Sequence, residues 1–201
     1  MRHGSTAHSH EGRFSGRNDL SLDEAGQAQA AALAARAAQF GAVAVISSPI
    51  LRTEQTAALV AAALDLPVQT NNDFAEVDFG AWEGMTFAEA RAQFPVELKE
   101  WFASPSVAPP GGESMEAMTR RVRRGRDAVI AAYPDQPVVV VTHVSPIKSL
   151  VRTVLDAPAS SLYRMHLDVA SVSIIDYFAD GAASLRLFND TSHLAHLTPT
   201  I

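Results

Sequence analysis

The run Val138-Val139-Val140-Val141-Thr142 constrains this chain more than any other stretch. Consecutive β-branched residues are stiff, suit a pleated strand and leave no polar face, so the run predicts a strand buried on both sides, as in a parallel sheet covered by helices. It ends on His143, which puts an imidazole at the C-terminal end of a strand, the edge where open α/β sheets hold ligands. Ala42 to Ile46 reads as a second buried strand, closed by Ser47-Ser48-Pro49, and Val68 to Thr70 as a short third. Helices are predicted from a capping box at Ser21 and Glu24 to Gly41, and from about Leu51 to Leu64. Others run from a capping box at Thr86 and Glu89 to an interruption at Pro95, from Ser114 to Tyr133, and from Pro146 to Leu155. Strands at 171–177 and 185–188, turning at Asp180-Gly181, follow, while polar, aperiodic Ala7 to Asn18 reads as a long loop. Strands alternating with helices give an α/β domain with a mainly parallel sheet.

Composition narrows the function. The chain has 201 residues, enough for one domain with a cap, and no cysteine, which rules out disulfides and thiolate metal sites and allows a cytoplasmic location. A net charge of -6 disfavours a general nucleic-acid surface, and no apolar run has the length of a membrane span.

The chemistry gathers at strand ends. Arg2-His3-Gly4 opens the chain, Ser47 to Arg52 leaves one strand, Glu76 follows another, and His143 leaves the last. Guanidinium forks suit phosphate or carboxylate, imidazole serves as nucleophile or acid/base, and glycine permits close backbone approach. Singly, Arg52 and His143 read as helix-capping residues and Glu76 as a solvated acid; their joint placement points to a reaction centre. His8 and His10 flank Ser9 without an organised carboxylate or cysteine and read as solvated, so no metal is expected. Arg120, Arg121, Arg123, Arg124 and Arg126 read as a solvated helix face. His193 and His196 read as surface residues or as a tail that closes over the site, and His166 has no assigned role.

In order along the chain, Arg2-His3-Gly4 with Thr6, Ser47-Ser48-Pro49 through Arg52 to Thr56-Ala57, Glu76 with Gly80 and Trp82-Glu83-Gly84, Gly111-Gly112-Glu113-Ser114, and Val141-Thr142-His143 resemble the motifs of the histidine phosphatase, or phosphoglycerate mutase-like, superfamily. The stretches 13–17, 78–84, 108–114, 145–148 and 189–193 make the chain similar to the acid phosphatase domain of actinobacterial bifunctional ribonuclease H/acid phosphatases, itself similar to alpha-ribazole phosphatases. The resemblance implies a three-layer α/β/α fold over residues 1–201 as a single domain, with a small helical cap inserted at about 84–113.

It also implies a cofactor-independent phosphomonoesterase. His3 attacks phosphorus, Arg2, Arg52 and protonated His143 hold the phosphoryl oxygens, and Glu76, protonated, serves the leaving alkoxide, so an acidic optimum is expected. Gly4, Thr6, Ser9, Ser15 and Gly16 are the further binding candidates. His8-Ser9 stands where the family usually has tryptophan and asparagine. Val77-Asp78-Phe79 follows the acid where mutases carry Arg-His-Tyr, which disfavours a mutase. The substrate suggested is a small phosphomonoester, with alpha-ribazole 5'-phosphate first. An inert phosphate-binding or regulatory module, a phosphoglycerate mutase and a metallophosphatase are the competing functions. An apolar strand would run into Arg2-His3-Gly4, so either the natural protein continues upstream, into a ribonuclease H domain, or the start tolerates an open edge; the first is preferred.

Overall fold

The computed structural model describes residues 1–197. Where an unbroken loop was expected, Ala7–Glu11 form helix α1. No residue of α1 is buried; Thr6 and Ser9 cap it reciprocally and Gly12, at φ 64°, closes it. A helix this short is held by its ends and carries no apolar period to read. α2 (Glu24–Ala37) starts at Asp23, whose side chain accepts from the Gly26 N–H, in place of Ser21, and its C-cap is Ala38, short of Gly41. The Ser5 hydroxyl also donates to Asp23, at 2.7 Å, a tertiary tie that decides between two good capping residues.

β1 (Ala44–Ser47), α3 (Leu51–Leu64) and β2 (Val68–Thr70) follow. α4 (Phe87–Gln93) carries the expected Thr86/Glu89 box, and α5 (Pro95–Ala103) starts on the proline that ends it, where a missing N–H costs nothing. α6 (Met115–Ala132) is capped by Ser114. β3 (Val138–Val141) leads through Thr142 and His143 into α7 (Val144–Val154), which begins two residues before Pro146. The hairpin β4 (Val172–Tyr177) and β5 (Ala183–Asp190) is antiparallel.

β1 lies between β2 and β3, all parallel, with Val45 opposite both Val68 and Val139. The opening residues occupy the next position. Arg2 bridges Thr142 in parallel; the His3 N–H donates to Thr142 O at 3.1 Å, the Arg2 N–H to Ser171 O at 3.0 Å, and the Ala170 N–H to His3 O at 2.9 Å. The start of the chain is thus hydrogen-bonded on both sides, between β3 and the lead into β4.

Period-two alternation sorts the side chains into layers. Met1, Val45, Val139, Val141 and Val172 pack with Leu33 and Ala37 of α2 and Val60 of α3. On the opposite face of the hairpin, Ile175 and Leu185 meet Ile147 and Val151 of α7. Helices thus cover both faces, the three-layer α/β/α arrangement that was expected. A separate apolar cluster joins Phe79 and Trp82 to Leu98 and Trp101 of α5 and Met118 of α6, and seats the α4–α5 region beside the sheet.

α2 meets the opening segment backbone to backbone. A Cβ on Gly26 would stand 2.1 Å from Ser5 O, and one on Gly4 would stand 2.4 Å from Gly26 O. Alanine is the better helix former by roughly 1 kcal/mol, yet Gly26→Ala is expected to lower stability by about 1–3 kcal/mol through overpacking. Chemical denaturation reads the sign, and a gain in stability would show that the contact can relax.

Candidate active site

The sheet topology brings four chain segments to one edge. Arg2 and His3 leave the opening segment, Arg52 stands in the first turn of α3 just beyond β1, Glu76 follows the turn after β2, and His143 follows β3. Backbone hydrogen bonds lock these exits together: Ser48 N–H to Val141 O at 3.0 Å and Asn71 N–H to Ser47 O at 2.9 Å. The Thr142 hydroxyl donates to Phe74 O.

His3 is fixed in one tautomer. Its Nδ1 lies 2.6 Å from the Gly4 carbonyl; a carbonyl only accepts, so Nδ1 carries the proton and Nε2 keeps its lone pair. That lone pair accepts from the Arg52 Nε–H at 3.2 Å. Burial, then the charges of Arg52 and Arg2, hold the imidazole well below the usual histidine range, so it is neutral at pH 7.

Arg52 is 1% exposed and fully engaged. Nη1 donates to Asn18 O at 2.9 Å, and Nη2 to Ser15 O at 2.9 Å and Gly16 O at 2.8 Å. Arg2 donates from Nη1 to Leu167 O at 2.5 Å, while its Nε is buried without a partner. Burial pushes Arg2 down to about 10, against the pull of Glu76 and Asp168, so it remains a cation at neutral pH.

The His143 ring lies 5.2 Å from that of His3 at 61°, its Nε2 is 2.8 Å from Ser48 Oγ, and its Nδ1 is buried without a partner. Burial, then Arg52, His3 and Arg2, hold it well below the usual range. The protonated His143 expected from the sequence therefore requires an anion beside it. Glu76, 4% exposed, accepts the Val77 N–H on Oε1 at 2.8 Å and the Ser145 N–H on Oε2 at 3.2 Å.

A cavity of about 170 Å³ opens between these groups, lined by Arg2, His3 and Glu76, with Thr6, Ser9 and Ser15 on one side. Phe14, Phe79, Val144 and Ser145 line it too, as do His8 and Arg13 at α1 and the loop beyond. Arg52 and His143 touch His3 rather than the cavity. Among the remaining candidates, Gly4 donates its N–H to Thr56 Oγ1 at 3.2 Å, and Gly16 contributes a carbonyl to Arg52, so both shape the site from outside the cavity. The Thr6 and Ser9 hydroxyls lie 3.2 Å apart, each bonded into the other's cap, and the Ser15 hydroxyl donates to Asn18 Oδ1 at 2.8 Å.

Several functional positions escaped the sequence. Arg121 is no solvated side chain: it pairs with Glu113 through Nε and Nη2, both at 2.8 Å, and donates to the carbonyls of Asp73, Ala75 and Glu76. It thereby holds the segment that carries Glu76. Its spacing from Met118 and Gly125, buried positions of α6, places it at the edge of the buried stripe, a signal a helical projection could have found. Asn18 had no such signal, since loop hydrogen bonds have no period; Ser48 and Glu83 stand in motifs of the resemblance, which gave no sign of their partners. His8 forms part of the cavity wall and His10 pairs with Asp23 at 3.0 Å, so neither is merely solvated. His193 donates to Ala170 O at 3.0 Å and lines, with His196, a separate cleft along α2, so these two histidines lie away from the site. His166 pairs with Asp168 at the surface. Among the described residues no helix is long and apolar enough to cross a membrane.

Comparison with known proteins adds the family. The model of the histidine phosphatase superfamily (branch 1) matches residues 1–191. Bifunctional protein Rv2228c of Mycobacterium tuberculosis is 49% identical over 195 residues, which are 96% of this chain and 54% of that protein, so the chain spans about half the length of such curated relatives. Phosphoserine phosphatase 1 of Hydrogenobacter thermophilus is 32% identical over 96% of this chain and 92% of its own. Among solved structures, mycobacterial glucosyl-3-phosphoglycerate phosphatase Rv2419c, in complex with VO3, superposes with a TM-score of 0.85 at 28% identity, over 94% of this chain and 96% of that one. With its opening histidine, paired arginines, carboxylate and second histidine gathered on one sheet edge, the chain belongs to the histidine phosphatase superfamily.

Proposed function

We propose that this domain is a cofactor-independent phosphomonoesterase of the histidine acid phosphatase type, acting in the cytoplasm on a small phosphorylated metabolite. The observation that carries the reading is the state of His3: Nδ1–H tied to Gly4 O, leaving Nε2 as a neutral, buried nucleophile at the cavity. In the first step the Nε2 lone pair forms a bond to phosphorus while the ester P–O bond breaks, and the leaving oxygen takes the proton of the Glu76 carboxyl. In the second, water attacks the phosphohistidine, Glu76 takes a proton from it, and the P–N bond breaks to return Nε2 and inorganic phosphate.

Charge supplies the rest. Arg2 and Arg52 give two permanent cations, and His143 becomes a third when a phosphoryl dianion offsets the arginines that hold it neutral. Such prearranged charges act without reorganisation at the moment of transfer. Arg52 must give up its hydrogen bond to Nε2 as that atom becomes a nucleophile, and a phosphoryl oxygen is the acceptor that replaces it.

The leaving group faces the Phe14, Phe79 and Val144 wall with His8 and Arg13 beside it, which suits a small organic alcohol carrying polar groups. Alpha-ribazole 5'-phosphate is the candidate that the family resemblance suggests. The greater length of the bifunctional relative supports a companion domain in the whole protein, for which a ribonuclease H domain is our reading. A panel of phosphorylated metabolites ranked by kcat/KM tests the substrate.

Two substitutions test the chemistry. His3→Ala is expected to abolish hydrolysis of p-nitrophenyl phosphate in a folded protein, and turnover at the parent rate would end the proposal. Glu76→Gln is expected to reduce kcat by roughly 100-fold or more on alkyl phosphates, whose alkoxide leaves poorly, and by much less on aryl phosphates. Equal losses on both would remove Glu76 as the acid.

A further inference from the structure

Glu83 stands apart from the groups assigned above, in the loop after Trp82. Its Oε2 accepts the Gly16 N–H at 3.0 Å, and its Oε1 accepts the Arg17 N–H at 3.0 Å and the Phe79 N–H at 3.2 Å. One carboxylate therefore pins the loop around residue 16 against the loop at residue 79. Hydrogen bonds to a charged acceptor are the strong ones, so this junction is stiff.

The same stretch of loop turns its carbonyls toward Arg52. Ser15 O and Gly16 O hold Nη2, and Asn18 O holds Nη1. With both terminal nitrogens committed, Nε is the arm left for chemistry, and it meets His3 Nε2 at 3.2 Å. A guanidinium is planar and rigid, so wherever the loop places the two Nη atoms, it also sets the direction of Nε. Gly16 leaves the loop little freedom: a Cβ there would stand 2.1 Å from Glu83 Oε1 and 2.4 Å from Val77 O.

We propose that Glu83 is a positioning residue for phosphoryl transfer, acting through the 15–18 loop to aim the Arg52 Nε–H at the phosphorus-bound side of His3. Burial lowers the pKa of Arg52, and the charges of Glu76 and then Glu83 work against that shift, in keeping with a carboxylate stationed near the cation. The inference rests on the phosphatase reading, and its test separates the two. Glu83→Gln keeps the size of the side chain but turns an amide NH2 toward backbone N–H donors that need an acceptor.

The test is a double-mutant cycle on the complete chain with Glu83→Gln, Arg52→Ala and both together, read by kcat and KM for p-nitrophenyl phosphate and by calorimetric affinity for inorganic phosphate. Glu83→Gln alone is expected to lower kcat on the order of 10-fold to 100-fold with KM changed less than about 3-fold. In the Arg52→Ala background it is expected to cost nothing further. Gly16→Ala, which displaces the loop by another route, is expected to reproduce the loss in kcat. Where Arg52→Ala is too slow to follow, phosphate affinity closes the cycle, with Glu83→Gln weakening binding only when Arg52 is present. Equal fold losses in both backgrounds, or a lowered melting temperature with kcat intact, would overturn the proposal. A parent protein inert toward every phosphomonoester would remove the phosphatase reading itself.

Discussion

The structure depends on the burial of one guanidinium. Arg52 is shut away from water, and a cation so placed survives only if its donors are met. They are met by three carbonyls of the 15–18 loop and by the lone pair of His3. Hydrogen bonds to a charged group are each worth about 1.5–3 kcal/mol, and leaving one unmade costs more than a neutral one. The loop, the first turn of α3 and the nucleophile are therefore not separable; each is held where it is by the need to satisfy the same side chain. This is what fastens a polar stretch with no core of its own to α3.

That constraint sits on a sheet edge built by close backbone approach. The opening residues are hydrogen-bonded to β3 on one side and to Ala170 and Ser171 on the other, and Gly4 and Gly26 let α2 press against them without side chains between. Arg121 performs a matching service on the far wall, where its ion pair with Glu113 holds the carbonyls that flank Glu76. The site thus has two braced walls, one fastened by Arg52 and one by Arg121. Between them lies a cavity whose charged lining groups are Arg2 and Arg13 against Glu76, with Arg52 behind, a balance suited to a dianion.

Much of this was legible in the chain, and the physical reason is period. The β-branched run of β3, the helix from Leu51 to Leu64, and the Thr86/Glu89 and Ser114 caps declare themselves by local pattern, and the structure has them where the pattern puts them. The strand order, together with chemistry-bearing residues just past strand ends, then brings Arg2, His3, Arg52, Glu76 and His143 together. What stayed hidden is whatever tertiary contact decides. α1 has no apolar face; Asp23 prevails over Ser21 because Ser5 reaches it; Arg121 looks like one of five similar arginines until its partners are known. Glu83 stands in a motif of the resemblance, yet its contacts stay hidden for the same reason, since its partners are backbone N–H groups that no side-chain pattern records. The charge state of His143 is likewise not a property of the residue type, since burial and the neighbouring arginines hold the imidazole well below its usual range.

The central claim is that His3 Nε2 becomes bonded to phosphorus during turnover. The direct measurement is to quench the protein in alkali within the first turnovers of an aryl phosphate, weigh it intact, and locate the modification by peptide mapping and phosphorus NMR. One acid-labile phosphoryl group on His3, attached at Nε2 and absent from a Glu76-intact His3→Ala protein, is the expected result. Turnover without any phosphoryl group on His3, or with one at Nδ1, would contradict it, because the Gly4 carbonyl reserves Nδ1 for its proton.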